Sequence, residues 1–299
     1  QALIFCSIRG KDFLHHYMND TTQFFRRIKM QNFTKLIWLL ITLLLVSNVS
    51  GENLGPSSKL YITIWCNKGM ATLQGTNILN TWSTRGYREI SIAVTDTIKT
   101  FGHHNGNYGA EYTLDGSFTG STYTKGTGGG TYTHDGTTDG QYFYTADYGS
   151  SQGAVYKYSQ DWQNPELLFY SGVGSEVGIT YDPLNDSFWL GNWGGGQLRN
   201  YDRQGNLINS FRTDLNGHTH IGALAFDPAD NTLWFSNYRT STFAQYSRSG
   251  QYLGSHSYND LSQAIYGAEF AFNNIPEPST VFTIILALCA GIGYSKKFA

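Results

Sequence analysis

Two stretches of the chain share one pattern of apolar and polar positions. Each begins with a short apolar segment, turns at an Asp-Pro pair that starts at Asp182 or Asp227, and continues into a second apolar segment that carries a tryptophan. Short apolar segments bounded by turn residues are typical of β-strands. The two tryptophans, Trp189 and Trp234, are 45 positions apart, as are the two aspartates. The pattern therefore predicts a repeated unit of β-strands.

The same spacing extends beyond these two stretches. In both units a third and a fourth strand follow, with a glycine turn between them at Gly205 or Gly250, and second strands recur near positions 62, 99, 144, 189 and 234. Four short strands in a repeat of roughly 45 residues are typical of a β-propeller blade. We therefore predict an all-β fold, a β-propeller with five blades. Six blades are the alternative, if the glycine-rich region 115–140 contains a further one.

The two ends of the repeat region complement each other. The segment 60–65 resembles a second strand with no first strand before it, whereas 267–272 resembles a first strand with no second strand after it. We expect these segments to pair and to close the ring. The Asp-Pro turn and the strand rhythm resemble propellers of the NHL and SMP type, although the WD dipeptide of other propellers is absent. A β-sandwich, the rival architecture, does not predict a fixed repeat, and in a propeller the repeated Trp189 and Trp234 would pack between blades.

The N-terminal part of the chain has the features of an export signal. Met30 is followed by a short polar segment that ends at Lys35, an apolar run over 36–46 and small residues at 49–51. This order predicts a signal peptide over 30–51, cut by signal peptidase before Glu52. A transmembrane helix is the alternative, but eleven residues fall short of the ~20 that span a bilayer. We expect residues 1–29 to be an upstream extension outside the fold.

The C-terminal part, 275–299, contains Pro276, Glu277 and Pro278, then an apolar run over 281–294 and two lysines. These three parts, in this order, resemble the PEP-CTERM sorting signal. The resemblance implies a C-terminal transmembrane helix, an exosortase-type transpeptidase as partner, and a protein that is tethered to the inner membrane before it reaches the cell surface or the extracellular matrix. It also implies an exopolysaccharide or biofilm setting. A simple membrane anchor is the alternative, for which the apolar run is short.

These boundaries leave 52–274 for the propeller, and its composition agrees with that assignment. The chain has 34 glycines and 21 tyrosines, which suit turns and pleated sheets respectively. Only 14% of its residues are charged and the net charge is −2, so we expect no nucleic-acid partner. Cys66 is the one cysteine between the two terminal segments, so no disulfide framework is predicted.

Candidate chemistry is sparse and depends on the predicted ring. Propellers usually bind ligands in the funnel where the innermost strands begin, and the sequence assigns Glu89, Glu176 and His220 to such positions. Together with His218, on the same face of an extended segment, these groups have the chemistry of a divalent-metal site. Trp193 lies in a glycine-rich loop and is the best candidate for an exposed aromatic residue. The segment 134–136 has the Asp-Gly composition of a turn.

Two functions follow from these features. The first is an exported surface or matrix protein whose propeller binds polysaccharide or another surface protein and needs no cofactor. The alternative is a lyase or hydrolase with a divalent metal in the funnel. No nucleophile elbow, HExxH motif or P-loop is present in the sequence, so no catalytic residue is assigned and the binding function is favoured.

Overall fold

Twenty β-strands and one short 3₁₀ helix make up the regular structure of the residues that the computed structural model describes, which are 55–65, 69–104, 108–124, 129–237, 240–261 and 264–272. The strands form five four-stranded antiparallel sheets, the blades. Blade 1 consists of β1 (Leu60–Ile64), β2 (Gly69–Gln74), β3 (Asn77–Ser83) and, innermost, β20 (Ile265–Phe270). Blade 2 consists of β4 (Glu89–Val94), β5 (Ile98–Gly102), β6 (Tyr108–Tyr112) and β7 (Phe118–Thr124).

The other three blades follow the same order from the axis outwards. Blade 3 consists of β8 (Thr133–Thr138), β9 (Phe143–Asp147), β10 (Ala154–Tyr158) and β11 (Glu166–Tyr170). Blade 4 consists of β12 (Glu176–Asp182), β13 (Ser187–Asn192), β14 (Gln197–Asp202) and β15 (Leu207–Arg212). After the 3₁₀ helix (Asp214–Asn216), blade 5 consists of β16 (Ile221–Asp227), β17 (Thr232–Asn237), β18 (Thr242–Ser247) and β19 (Tyr252–Ser257).

The innermost strands form a closed ring, because each packs against the innermost strand of the blade on either side. The predicted all-β propeller with five blades is thereby confirmed. The alternative of six blades is wrong: β7 completes blade 2 at Thr124 and β8 begins blade 3 at Thr133, which leaves too few residues for four more strands.

The ring closes through the first and last strands of the described chain. β20 pairs antiparallel with β1, with Leu60 opposite Phe270, which confirms the predicted closure. The closing strand covers Ile265–Phe270, two residues earlier at each end than the sequence suggested. The predicted signal peptide, its helix and the C-terminal transmembrane helix lie outside the described residues. Within the described ranges, no helix has the length and apolarity needed to cross a membrane.

Neighbouring blades are held together by packing and by hydrogen bonds between an aspartate of one blade and an arginine of the next. Trp189 and Trp234 are buried, at 2% and 1% exposure, as predicted. At the end of each of two innermost strands, an aspartate accepts a hydrogen bond from an arginine of the next blade: Asp139 from Arg203 at 2.8 Å, and Asp182 from Arg248 at 2.7 Å. The two arginines are 45 residues apart, so the donors of these bonds follow the sequence repeat.

A buried carboxylate ties the innermost strands together. Asp135 on β8 is fully buried and accepts a hydrogen bond from the amide of its neighbour Gly136. It also accepts hydrogen bonds from backbone amides of three other innermost strands. Their donors are Ile179 at 3.2 Å, Leu224 at 2.7 Å and Ala268 at 3.0 Å. The prediction of a turn at 134–136 is therefore wrong. The Asp-Gly pair lies inside a strand, and a Cβ on Gly136 would stand 2.8 Å from the backbone of Ile92 on β4. The interior of the ring is thus filled by a side chain, and a ligand would approach one of its ends.

Candidate functional site

The candidate site lies at the end of the ring where the innermost strands begin. In each antiparallel blade the second strand ends at that same end, and in the four blades where the structure describes it the next residue carries an aromatic or imidazole ring: Trp65, His103, Tyr148 and Trp193. The equivalent residue of blade 5 is Tyr238, which lies outside the described residues. In these four blades, one equivalent position therefore supplies a ring to this end.

The backbone holds these residues in equivalent places. The amide of each donates a hydrogen bond to a carbonyl just before its blade's innermost strand, at 2.8 to 3.0 Å. The four donor and acceptor pairs are Trp65 to Ala264, His103 to Arg88, Tyr148 to Tyr132, and Trp193 to Ser175. Each pair continues the ladder of its two strands past their ends, so the rings project from a rigid frame rather than from free loops.

Six rings at this end form a continuous circuit, which we call the aromatic crown. Its members are Trp65, His103, His134, Tyr148, Trp193 and Tyr266. In that order, and back from Tyr266 to Trp65, successive ring centroids are 4.8, 4.8, 5.1, 6.2, 6.2 and 5.4 Å apart. These separations are those of favourable aromatic contacts. Trp193 and Tyr266 are nearly parallel, with 16° between their planes.

The crown has a buried floor and a more exposed edge. His103, His134 and Tyr266 are between 4% and 7% exposed, whereas Tyr148 is 37% exposed and both Trp65 and Trp193 are half-buried. The floor is fixed in part by a bond between His103 Nδ1 and the carbonyl of Thr133, at 2.7 Å. The edge therefore presents large, flat and partly polar rings on a packed base.

Among the residues that the sequence selected, Trp193 and His220 meet at this end. Trp193 belongs to the crown, and the exposed His220 lies edge-on to it with a centroid distance of 6.1 Å. His218 is in a different environment: it is buried, its Nδ1 lies 3.0 Å from the hydroxyl of Tyr246, and its ring packs on Phe235. Burial lowers the pKa of His218. The two histidines therefore do not share neighbours, unlike the single-face arrangement that the sequence predicted.

Glu89 and Glu176 both begin innermost strands, as predicted, but their carboxyl groups bond within or next to their own blades. Glu89 accepts hydrogen bonds from Thr100 at 2.5 Å and Tyr112 at 2.9 Å, on β5 and β6. Burial raises the pKa of Glu89 even though these bonds oppose the shift. The structure thus brings neither carboxylate to the ring axis, where Asp135 lies instead.

Glu176 is the more unusual of the two carboxyl groups. It is fully buried, its Oε1 lies 3.7 Å from Arg199 and accepts a hydrogen bond from Ser171 at 3.2 Å, and its Oε2 has no hydrogen-bond partner. Burial raises its pKa to about 7, although the positive charge of Arg199 opposes the shift. Within the described part of the chain, no group of three or more His, Cys, Asp or Glu side chains is arranged to hold a metal ion.

Sequence reasoning found only one member of the crown, Trp193. A signal for two others was present, because His103 and Tyr148 precede Trp193 by 90 and 45 positions. Trp65, His134 and Tyr266 do not follow that spacing. The crown is thus partly encoded by the repeat and partly by residues outside it.

Comparisons with known proteins identify the architecture. No family model matches the chain, and no curated protein matches it. A chain in the crystal structure of a nidogen/laminin complex is similar over 72% of this chain and 98% of its own length, with 10% identity and a TM-score of 0.50. A protein of unknown function from Bacteroides caccae is similar over 69% of this chain and 75% of its own, with 14% identity and a TM-score of 0.44. At such identities the first likeness shows a shared β-propeller fold and nothing more.

Proposed function

We propose that this protein is an exported binding module that holds polysaccharide at the aromatic crown. The observation that carries the proposal is the circuit of six rings at one end of the propeller, with Trp65, Tyr148 and Trp193 at its edge. Three different blades supply these edge rings, so the contact surface is wide. Such a surface suits an extended chain of sugar units better than one small molecule.

The chemistry of the crown supports a sugar ligand. Sugar rings have an apolar face of C–H groups and polar edges, and amphipathic aromatic side chains match both. The edge residues are held by backbone hydrogen bonds to a rigid frame, so little conformational entropy is lost when a ligand stacks on them. Propellers are suited to act as interaction modules, and this fold presents the crown at an end that no described strand covers.

The destination of the module is part of the proposal. We infer export through the signal peptide at 30–51 and sorting through Pro276, Glu277 and Pro278, with signal peptidase and an exosortase-type transpeptidase as the processing partners. A cell surface or matrix rich in exopolysaccharide would supply the ligand. The support for this step is the sequence alone, because both segments lie outside the described residues.

The test compares two tyrosines of blade 3 that are both exposed. Tyr148 is a crown residue, whereas Tyr170 is 50% exposed on the outermost strand β11. We expect Tyr148→Ala and Trp193→Ala each to weaken binding to a panel of immobilised polysaccharides by about tenfold, since a lost stacking ring costs about 1–1.5 kcal/mol. Tyr170→Ala should bind like the unaltered protein. Thermal unfolding of all variants checks that they fold.

Two results would contradict the proposal. One is the absence of binding to every polysaccharide by the folded protein. The other is binding that Tyr148→Ala and Trp193→Ala leave intact, or that Tyr170→Ala weakens equally, because the sugar would then lie elsewhere on the propeller.

A further inference from the structure

Arg88 lies beside the crown in an arrangement that fixes its guanidinium group. The Cζ atom stands 4.3 Å from the ring centroid of Trp65 and 4.9 Å from that of Tyr87. One guanidinium nitrogen, Nη1, lies 3.0 Å from Nε2 of His104. Since an arginine side chain always carries its proton, Nη1 is the donor of this bond. Two aromatic faces and one imidazole therefore hold the cation in place at the edge of the crown.

This cation differs from most other arginines of the protein. Six arginines lie in the described residues, and four of them pair with carboxylates: Arg199, Arg203, Arg212 and Arg248. Within those residues, Arg88 has no carboxylate at ion-pair distance, and neither does Arg85 in the same loop. Arg85 instead lies over Phe118, 4.6 Å from its ring centroid, on the outermost strand of blade 2. Among the described residues, Arg88 therefore has no acidic partner at the candidate site.

Two acidic side chains that adjoin Arg88 or a crown residue in sequence form their hydrogen bonds elsewhere. Glu89, the next residue, turns its carboxyl group into blade 2 and is 2% exposed. Asp147, which precedes Tyr148, is 5% exposed and accepts backbone amides from Thr131 and Tyr132. Both carboxyl groups form their bonds inside the protein, so neither of these two described groups neutralises the positive charge at the crown.

We propose that the ligand of the crown is an acidic polysaccharide, with the carboxylate of a uronic acid unit bound by Arg88 while neighbouring sugar rings stack on Trp65 and Trp193. This inference rests on the proposed function and names its ligand class. A guanidinium group has a planar fork of donors that matches the two oxygens of a carboxylate. The ring of Trp65 holds the guanidinium group in place before a ligand binds. Binding therefore loses little side-chain conformational entropy.

The backbone of Arg88 is consistent with a functional position. Its φ is 58°, in the left-handed region that non-glycine residues rarely occupy. The amide of His103 donates to the carbonyl of Arg88 at 3.0 Å and helps to hold this conformation. In this conformation the guanidinium group lies over the ring of Trp65.

The experiment uses pairs of polymers that differ only in charge. Binding of the purified full-length chain is measured to polygalacturonate and to its methyl-esterified form, and to dextran sulfate and dextran. We expect polygalacturonate to bind at least tenfold more tightly than the esterified polymer, with an advantage that decreases as salt is added. Arg88→Gln should remove that advantage and Arg88→Lys should retain part of it. Arg85→Gln, the matched control from the same loop, should leave it unchanged.

The outcomes separate the inference from the function on which it rests. Equal binding of the charged and esterified polymers, or an advantage that Arg88→Gln leaves intact, would overturn the inference. If that binding still depended on Trp193, the proposed function would stand. If Arg88 were needed to bind dextran sulfate but polygalacturonate did not bind, the uronic acid proposal would be overturned, and the ligand group would be a sulfate ester rather than a carboxylate. Failure of every polymer to bind would overturn both.

Discussion

Replacing Asp135 with asparagine tests whether one carboxylate holds the ring of blades together. Its Oδ1 accepts the amides of Gly136 and Ala268, and its Oδ2 accepts those of Ile179 and Leu224. Asparagine has nearly the same shape, but its NH₂ group cannot accept a hydrogen bond. The substitution therefore leaves two buried backbone N–H groups without an acceptor, whichever way the amide is turned.

The expected loss follows from that count. Each orphaned buried donor costs about 1–3 kcal/mol, so Asp135→Asn should lower the free energy of unfolding by about 2–6 kcal/mol. This is a large part of the roughly 5–15 kcal/mol by which proteins are stable. Asp135→Ala, which orphans all four donors, should lower it further. Urea unfolding, followed by tryptophan fluorescence and far-UV circular dichroism, measures both losses.

A matched control separates the effect of position from that of the chemical change. Asp186 is largely exposed and pairs with Arg203 at 2.7 Å, and its φ of 52° is one that asparagine adopts readily. Asp186→Asn should change the free energy of unfolding by less than about 1 kcal/mol. A loss below 1 kcal/mol for Asp135→Asn, or an equal loss for both variants, would refute the reasoning that the central carboxylate ties the innermost strands.

Two further predictions concern the buried acid Glu176 and the closing strand. Burial raises the pKa of Glu176 from 4.5 to about 7. Between these two pH values the folded protein keeps a proton that the unfolded chain has released. The free energy of unfolding should therefore fall by about 3 kcal/mol as the pH rises from 4.5 to 7. Urea unfolding at pH 5 and pH 8 should show this fall in the unaltered protein and in Glu166→Gln, a control at an exposed site. Glu176→Gln should not show it. Equal falls in all three proteins would contradict the assignment of the pH dependence to Glu176. A chain that ends at Phe272 should keep its β-sheet signal in circular dichroism, whereas one that ends at Ala264 lacks β20 and should be insoluble. Equal solubility of the two would contradict the role of β20 in closure.

The blades could be predicted from the sequence because their strands obey a local rule. Apolar segments and Asp-Pro turns recur every 45 residues, and a repeat of that length leaves few architectures open. The closing strand was predictable for the same reason, as a first strand without a second. Trp189 and Trp234 could be assigned to the core because the same residue recurs where blades pack.

The interior of the ring could not be predicted in this way. Asp135 and Gly136 have the composition of a turn, and only the close approach of the Ile92 backbone explains why a glycine is needed inside a strand. The acceptor role of Asp135 depends on three strands that follow it by 44 to 133 positions in the chain. No local sequence pattern predicts hydrogen bonds between residues so far apart in the chain.

The crown was partly hidden for a related reason. The position after the second strand is filled by Trp, His or Tyr in different blades, so a search for one conserved residue type along the repeat would miss it. His134 and Tyr266 belong to innermost strands whose pairing with the second strand shifts register near its start. Such bulges redirect side chains, and the direction is not readable from spacing.

Because β1 pairs with β20, blade 1 cannot be completed until the last strand of the propeller has been synthesised. The other strands of the first blade end at Ser83 and its innermost strand begins at Ile265, so that strand is made 182 residues later. Until then the edge of β1 exposes unpaired backbone groups, and contacts between such distant segments form slowly. Two chains that meet in this interval can exchange their last strands, so that each molecule closes the ring of the other. The same strand that completes a single propeller thereby gives the protein a route to a dimer.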